Sequence, residues 1–283
     1  MPELPEAETI TRQLRKRIVG RRVGAVRVAR AGVVREGGGL LGGLRGRTIT
    51  GVRRIGKAVL VEFSGSHCLL FRLGMTGTLI VDRGGSLAKH AHLALLLGPR
   101  LRVQFVDARR FGGVYAHTRS SLSKAAEVCR LGVDPLSPAF TVEWLRARLR
   151  GARRNLKSFL MDQRLIAGIG NIYASEILFR ARLHPLKRSN AVFAEQAGRL
   201  REATVRVLRS AIGSGGTTVA SYRDAEGQRG RFALRLLVYG REGEPCKRCG
   251  TRIRRMVIGQ RSTFFCPKCQ RAGRRRANGG SAG

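Results

Sequence analysis

The feature that most narrows this 283-residue chain lies near its end: Cys246-x-x-Cys249 and Cys266-x-x-Cys269, sixteen residues apart. Each C-x-x-C can present two thiolates to one ion, and two such pairs at this separation have the spacing of a zinc ribbon. Four thiolates close the tetrahedron that Zn2+ prefers and leave no position for a substrate, so one structural zinc is expected. A disulfide framework is the other use of clustered cysteine, and it does not fit a cytosolic chain. The cytosol is expected because no secretory signal opens the sequence. Its early apolar positions are broken by Glu3, Glu6 and Glu8, then by Arg12, Arg15, Lys16 and Arg17. No apolar run approaches the length of a membrane span. Cys68 and Cys129 stand alone and are read as small core residues.

Charge sets the class of partner. Lys and Arg number 55 against 18 Asp and Glu, a formal net charge of +37. So large an imbalance calls for a polyanion: DNA, RNA or an anionic membrane surface. Arginine outnumbers lysine, and its planar fork suits phosphates and base edges. Arg252, Arg254, Arg255 and Arg261 lie between the cysteine pairs. A metal-held hairpin carrying arginines is a natural nucleic-acid probe. The basic, glycine-rich stretch 271–283 reads as a disordered tail.

The length allows two domains. Ala7–Val19 has helical spacing, with Ile10, Leu14 and Ile18 on one face and Gly20 as a stop. Short strand-like runs follow at Arg22–Ala29, Thr48–Ile55, Ala58–Phe63, His67–Arg72, Thr78–Val81, His92–Leu97, Arg100–Phe105 and Gly113–His117. Strands of this length and spacing predict a β-sandwich or barrel. Leu131–Pro138 breaks the pattern as a linker. Helices are expected from Thr141, over Leu156–Ile166, over Ile172–Phe179 and over Ala194–Ile212. Gly213–Gly230 is a long polar loop, of the kind usually tied to function or disorder. Phe232–Tyr239 reads as a strand or extended connector.

Several residues are odd for plain structure. Removal of Met1 would leave Pro2 with a free secondary amine beside the Glu3 carboxylate. Such an amine titrates near 8 and can form an imine-type intermediate, with a carboxylate to move protons. Pro5 and Glu6 of the same stretch also suit the first turn of a helix. Lys57 sits at a hairpin turn, solvated or within reach of a phosphate. Met75, in Leu73-Gly74-Met75-Thr76-Gly77, and Phe111, after Arg109 and Arg110, are apolar groups on tight loops. Spacing favours core packing for both, but an arginine-backed wedge between base steps is open to them. His90 and His92 alternate, which is weak evidence for a metal. Gly168-Ile169-Gly170-Asn171 is a glycine turn ahead of a helix, where backbone N–H groups attract phosphate.

Taken in order, the motifs Pro2-Glu3-Leu4-Pro5-Glu6, Lys57, Leu73–Gly77, Arg109–Gly112, Gly168–Glu176 and Gln260–Cys266 within the four-cysteine stretch are highly specific. The chain closely resembles the formamidopyrimidine-DNA glycosylase family from Pro2 to Cys269. The resemblance implies an α+β protein with an N-terminal β-sandwich behind a long N-terminal helix. A helix-two-turn-helix domain with a four-cysteine zinc finger follows. The implied division is 1–131 catalytic sandwich, 132–140 linker, 141–240 helical domain with a lesion-recognition loop, 241–270 zinc finger and 271–283 tail. The implied activity is base-excision repair: a DNA glycosylase and abasic-site lyase acting on oxidised purines. The implied partner is double-stranded DNA with oxidised bases or abasic sites, lying in a basic cleft. The enzyme would act as a monomer at the bacterial nucleoid, with no membrane partner. By the family's mechanism Pro2 attacks C1′ of the flipped nucleotide and Glu3 helps open the sugar. Lys57 and Arg261 serve β- and δ-elimination. Met75, Arg109 and Phe111 fill the vacated stack, and His90, Lys157, Asn171 and Arg261 touch phosphates. Ala152 departs from the family's basic run, so Arg153 takes that contact. Ala91, Ala108 and Arg231 depart too, and Arg231 bears on base preference. The other readings are an endonuclease VIII-like enzyme for oxidised pyrimidines and a catalytically silent DNA-binding relative.

Overall fold

Helix α1 spans Leu4–Ile18 and buries Leu4, Ala7, Ile10, Leu14 and Ile18 as one stripe. These recur at the three- and four-residue steps that put side chains on one helix face. The helix starts three residues ahead of the expected Ala7. Its first amides find partners, with Leu4 N–H on Gly168 O at 3.0 Å and Glu3 N–H on Glu6 Oε2 at 2.7 Å. Pro5 sits in that first turn, where a missing N–H costs little. The structure, a computed structural model, describes residues 2–218 and 222–272. Met1, positions 219–221 of the Gly213–Gly230 loop and the tail from 273 onward lie outside the described residues.

The chain divides into two compact units. The first comprises Met1–Ser137, Asp162–Gly170 and Arg206–Arg235; the second comprises Pro138–Met161, Asn171–Val205 and Leu236–Gly283.

In the first unit the strands are β1 (Ala25–Val28), β2 (Val34–Glu36), β3 (Ile49–Ile55), β4 (Ala58–Phe63), β5 (His67–Arg72), β6 (Thr78–Asp82), β7 (Ala91–Leu96), β8 (Arg102–Val106) and β9 (Gly113–Thr118). They form a four-stranded sheet in the order β1-β7-β8-β6 and a five-stranded sheet in the order β2-β9-β5-β4-β3. The inner faces of the two sheets meet in the core. Val52, Val59, Val61, Leu69 and Phe71 pack with Leu79, Leu93, Leu95, Val103 and Phe105, and with the α1 stripe. Phe71 and Phe105 meet with ring centroids 5.8 Å apart, joining the two inner faces. The unit is therefore a sandwich with α1 against it. The other face of the five-stranded sheet carries Ala58, Leu60, Cys68 and Leu70. It packs against Leu122 of α2 (Arg119–Leu122) and Val128 of α3 (Ala126–Cys129). Cys68 is buried there as expected, whereas Cys129 is exposed. β2 was not foreseen. It is a three-residue strand held parallel to β9 by two register pairs, too short to show a period.

The second unit holds α4 (Val142–Gly151), α5 (Leu156–Met161), α6 (Asn171–Ala181) and the first part of α7 (Ala194–Gly213). Thr141 caps α4, its Oγ1 accepting Trp144 N–H at 3.1 Å. The expected helix over Leu156–Ile166 stops at Met161. Asp162 O takes the amides of Leu165 and Ile166 at 3.0 Å each, and Ile166 bridges to Val133 instead. β10 (Arg254–Ile258) and β11 (Arg261–Phe265) form the metal-finger hairpin. Phe179 of α6, Val238, Ile253, Phe264, Cys246 and Cys266 form one cluster, which fastens this hairpin to the helices. Phe232–Tyr239 is not a strand: Phe232–Arg235 is a single 3-10 turn.

Candidate active site and nucleic-acid interface

The amino terminus is clamped. Pro2 is buried and Glu3 is 1% exposed. Glu3 Oε2 accepts Gly170 N–H at 2.6 Å, while Leu4 N–H donates to Gly168 O. The turn is itself pinned by Gln163, whose Oε1 accepts Gly168 N–H and whose Nε2 donates to Ile169 O, both at 2.8 Å. A Cβ on Gly170 would stand 2.4 Å from Glu3 Cδ, and one on Gly168, at φ +94°, would stand 2.7 Å from Leu4 Cβ. The glycines read from sequence as a phosphate turn are thus required by the close approach of Glu3 and Leu4. The Gly170 amide serves a carboxylate of this chain.

Glu6, read from sequence only as a first-turn residue, does more. One carboxylate oxygen accepts Glu3 N–H at 2.7 Å and the other accepts Thr217 N–H at 2.7 Å. The long loop is thereby tied to the residue next to Pro2. Thr217 is buried as well. Gln13 and Asp224 extend the tie, Nε2 to Oδ2 at 2.8 Å, with Ala225 N–H on Gln13 Oε1 at 2.9 Å. No local pattern signals these pairs, because more than 200 positions separate the partners.

Lys57 is half-buried at the tip of the β3–β4 hairpin, where Ile55 faces Ala58. The turn has two residues and Gly56 has φ +57°, the positive value that such tight hairpins place on glycine. The register of two core strands therefore fixes where Lys57 stands.

Met75 and Phe111 are not core residues: they are 37% and 60% exposed. Their loops are latched together by Asp107, which is buried. Asp107 Oδ1 accepts the Thr76 hydroxyl and Oδ2 accepts Gly112 N–H at 2.7 Å. A Cβ on Gly74 would be 2.6 Å from Gly112 N, so the two loops touch backbone to backbone. The Arg109 guanidinium lies 4.9 Å from the Phe111 ring centroid, a cation–π contact that stiffens an exposed pair. His90 is exposed, and its carbonyl takes Asp107 N–H at 3.0 Å. His92 is buried with Nε2 2.8 Å from Asp107 O, so the two histidines support this loop from different sides.

In the second unit Arg153 is exposed just ahead of α5. Lys157 turns inward: it is 1% exposed, and Nζ donates to Asn171 O at 2.9 Å and Ser175 Oγ at 2.6 Å. Asn171 begins α6, and its Nδ2 donates to Ser262 O at 2.9 Å. The neighbour of Ser262, Arg261, is exposed at the start of β11, after a Gly259-Gln260 turn with φ +54° and +61°. Glu176, unremarked in the sequence, is 2% exposed and accepts the amides of Leu237, Val238 and Tyr239. Burial pushes its carboxyl above the ordinary range, against the pull of those three amides and Arg180.

The four cysteines offer sulfurs within 4.8 Å of one another. Cys249 Sγ is 3.5 Å from Cys266 Sγ and from Cys269 Sγ, and Cys246 Sγ is 4.0 Å from Cys269 Sγ. Zn–S bonds near 2.3 Å give a tetrahedral edge of roughly 3.8 Å, so the set fits. Arg248 N–H and Cys269 N–H point at Cys246 Sγ and Cys266 Sγ at 3.4 Å, which stabilises thiolates. The finger carries one structural zinc.

Comparison with known proteins gives a consistent picture. Family models described as the formamidopyrimidine-DNA glycosylase N-terminal domain, its H2TH domain, and the zinc finger found in FPG and IleRS match residues 1–114, 131–223 and 243–272. A formamidopyrimidine-DNA glycosylase of Syntrophotalea carbinolica is 42% identical over 279 residues, 96% of this chain and all of that one. The MutM (Fpg) structure from Thermus thermophilus is 40% identical with TM-score 0.86, over 95% of this chain and 98% of that one. A Lactococcus lactis FPG mutant bound to Fapy-dG-containing DNA is 32% identical with TM-score 0.90, over 96% of this chain and all of that one.

Proposed function

The chain belongs to the formamidopyrimidine-DNA glycosylase family, and on that premise we propose that it excises oxidised purines from duplex DNA and then cuts the abasic strand. The single observation that carries the reading is the clamp on the amino terminus: a buried Pro2, a buried Glu3 held by Gly170, and Glu6 bridging Glu3 to Thr217. A packed scaffold that fixes the second and third residues this firmly suits chemistry at the terminal nitrogen. The DNA-bound relative of this fold supports duplex DNA as the partner.

With Met1 removed, the Pro2 nitrogen bonds to C1′ of the flipped nucleotide and the base leaves with the electron pair of the broken glycosidic bond. Glu3 gives a proton to the opening ring oxygen. The resulting iminium acidifies C2′, whose proton is lost as the 3′-phosphate departs. Lys57 assists this β-elimination and Arg261 assists loss of the 5′-phosphate in the δ-step. Hydrolysis frees the enzyme and leaves a one-nucleotide gap. Met75, Arg109 and Phe111 occupy the vacated stack. His90, Arg153 and Asn171 take phosphates, and Lys157 acts by holding Asn171. The enzyme works as a monomer in the bacterial cytoplasm.

Duplexes carrying 8-oxoguanine, thymine glycol or an abasic site test this. Excision of 8-oxoguanine with phosphates at both ends of the gap is expected, with slower attack on thymine glycol. Equal or preferred excision of thymine glycol would move the chain to the pyrimidine branch. Tight binding without cleavage would make it a silent relative.

A further inference from the structure

Among the described residues two clusters of metal-ligating side chains occur: the four cysteines, and Glu36, His117 and Glu127, whose ligand atoms all lie within 4.8 Å of one another. The second cluster has no part in the reaction above. Its members come from three elements, Glu36 from the end of β2, His117 from β9 and Glu127 from α3. His117 pairs across the sheet with Cys68, on the face covered by α2 and α3.

The side chains are oddly placed for plain structure. His117 is 3% exposed, and its Nε2 has no hydrogen-bond partner; Glu127 Oε2 is buried and equally unpartnered. Buried polar atoms are nearly always paired, and each orphan is expensive. Both orphans belong to groups whose ligand atoms cluster within 4.8 Å, which points to a shared partner. We propose that Glu36, His117 and Glu127 form a second metal site, for one divalent first-row transition ion such as zinc.

The donor set is one imidazole and two carboxylates, which suits such ions and not the softer ones that choose thiolates. His117 Nδ1 lies 3.9 Å from Glu36 Oε1. Bonds of about 2.0–2.2 Å call for closer ligand edges, so the carboxylates must draw in by roughly 1 Å. Glu36 can do so, because its side chain is 57% exposed and opens the site to solvent. The opposing group is Arg72, with Nη1 3.9 Å from Glu127 Oε1 and also donating to the Tyr115 hydroxyl at 3.2 Å. Its side chain is 56% exposed, and a pair so wet holds Glu127 only weakly. Three protein ligands leave the fourth position to water. A bound ion would tie the short parallel strand β2 to α3.

Equilibrium dialysis of the full chain against ZnCl2, followed by a metal count, tests the site. The wild type should hold two zinc ions per chain, and Glu36→Gln, Glu127→Gln and His117→Gln should each hold one, on the cysteines. His67→Gln should keep two. Glu36→Gln changes an exposed group, so its fold is not at stake. With the finger already loaded, further Zn2+ should raise the wild-type Tm and leave that of Glu36→Gln unmoved. One zinc per chain in the wild type, or a second zinc that survives Glu36→Gln and His117→Gln alike, overturns the proposal.

Discussion

Replacing Glu176 by glutamine probes how the zinc-bearing segment is held to the helices. The carboxylate is buried, and Oε1 accepts the amides of Leu237, Val238 and Tyr239 at 3.1, 2.9 and 2.9 Å, while Oε2 takes Leu237 N–H at 3.0 Å. Glutamine keeps one acceptor and sets an NH2 group against the Leu237 amide, donor to donor. Leu237 N–H keeps its 3.1 Å bond to Oε1 but meets a donor in place of Oε2, a mismatch that costs at most the ~1–3 kcal/mol of an unpaired buried group, and the remaining bonds lose their charge assistance. Against this, glutamine no longer buries a charge, the same desolvation that pushes the Glu176 carboxyl up. The net loss is expected near the lower end, about 1 kcal/mol. Glu176→Ala orphans three amides, roughly 3–9 kcal/mol, comparable with a whole domain's stability of about 5–15 kcal/mol. Urea unfolding of the zinc-loaded protein, read by metal release to a chromophoric chelator, measures this. The release midpoint should fall for glutamine and further for alanine. Release at the wild-type midpoint in Glu176→Gln would refute the reasoning.

Three other outcomes follow from the geometry. Gly170→Ala should leave Tm within a few degrees but cut single-turnover excision by about a hundredfold, because its Cβ displaces the Glu3 carboxylate; full activity would show that the clamp is dispensable. Met75→Ala should change stability by less than about 0.5 kcal/mol, since the side chain is exposed, yet weaken binding to lesion-bearing duplex; a large loss of Tm with unchanged binding would return Met75 to a packing role. Glu8 is pushed up by burial but held below its ordinary 4.5 by the stronger combined pull of Arg12 and Arg54. A depressed folded pKa gives stability that is present above about pH 4.5 and lost as pH falls through the folded value. The stability gap between wild type and Glu8→Gln should therefore be flat near neutral pH and shrink in acid; a gap independent of pH would contradict it.

What could be read from sequence was whatever is local. The α1 stripe, the hairpin around Gly56-Lys57 and the cysteine spacing each sit within a few residues of one another, where period and turn chemistry decide. Whatever depends on a distant partner was hidden. Glu6 looked like a helix-start residue because Thr217 lies 211 positions away. Gly170 looked like a phosphate turn because nothing local reveals the Glu3 carboxylate beneath it. The resemblance set Lys157 on a phosphate, and only the fold brings Asn171 O and Ser175 Oγ to its ammonium. Spacing favoured core packing for Met75 and Phe111. Asp107 and the touching backbones of Gly74 and Gly112 instead present both side chains outward. Of the two readings of Phe232–Tyr239, strand or extended connector, the strand is excluded because Leu237–Tyr239 turn their amides to Glu176, not to a neighbouring strand.

The most direct test is to reduce the enzyme with borohydride on a duplex bearing 8-oxoguanine, digest the trapped complex and locate the adduct by mass spectrometry. The account predicts a peptide that begins at Pro2 and carries the reduced deoxyribose on its terminal nitrogen. An adduct on Lys57, or no adduct on protein whose Met1 has been removed, would contradict it.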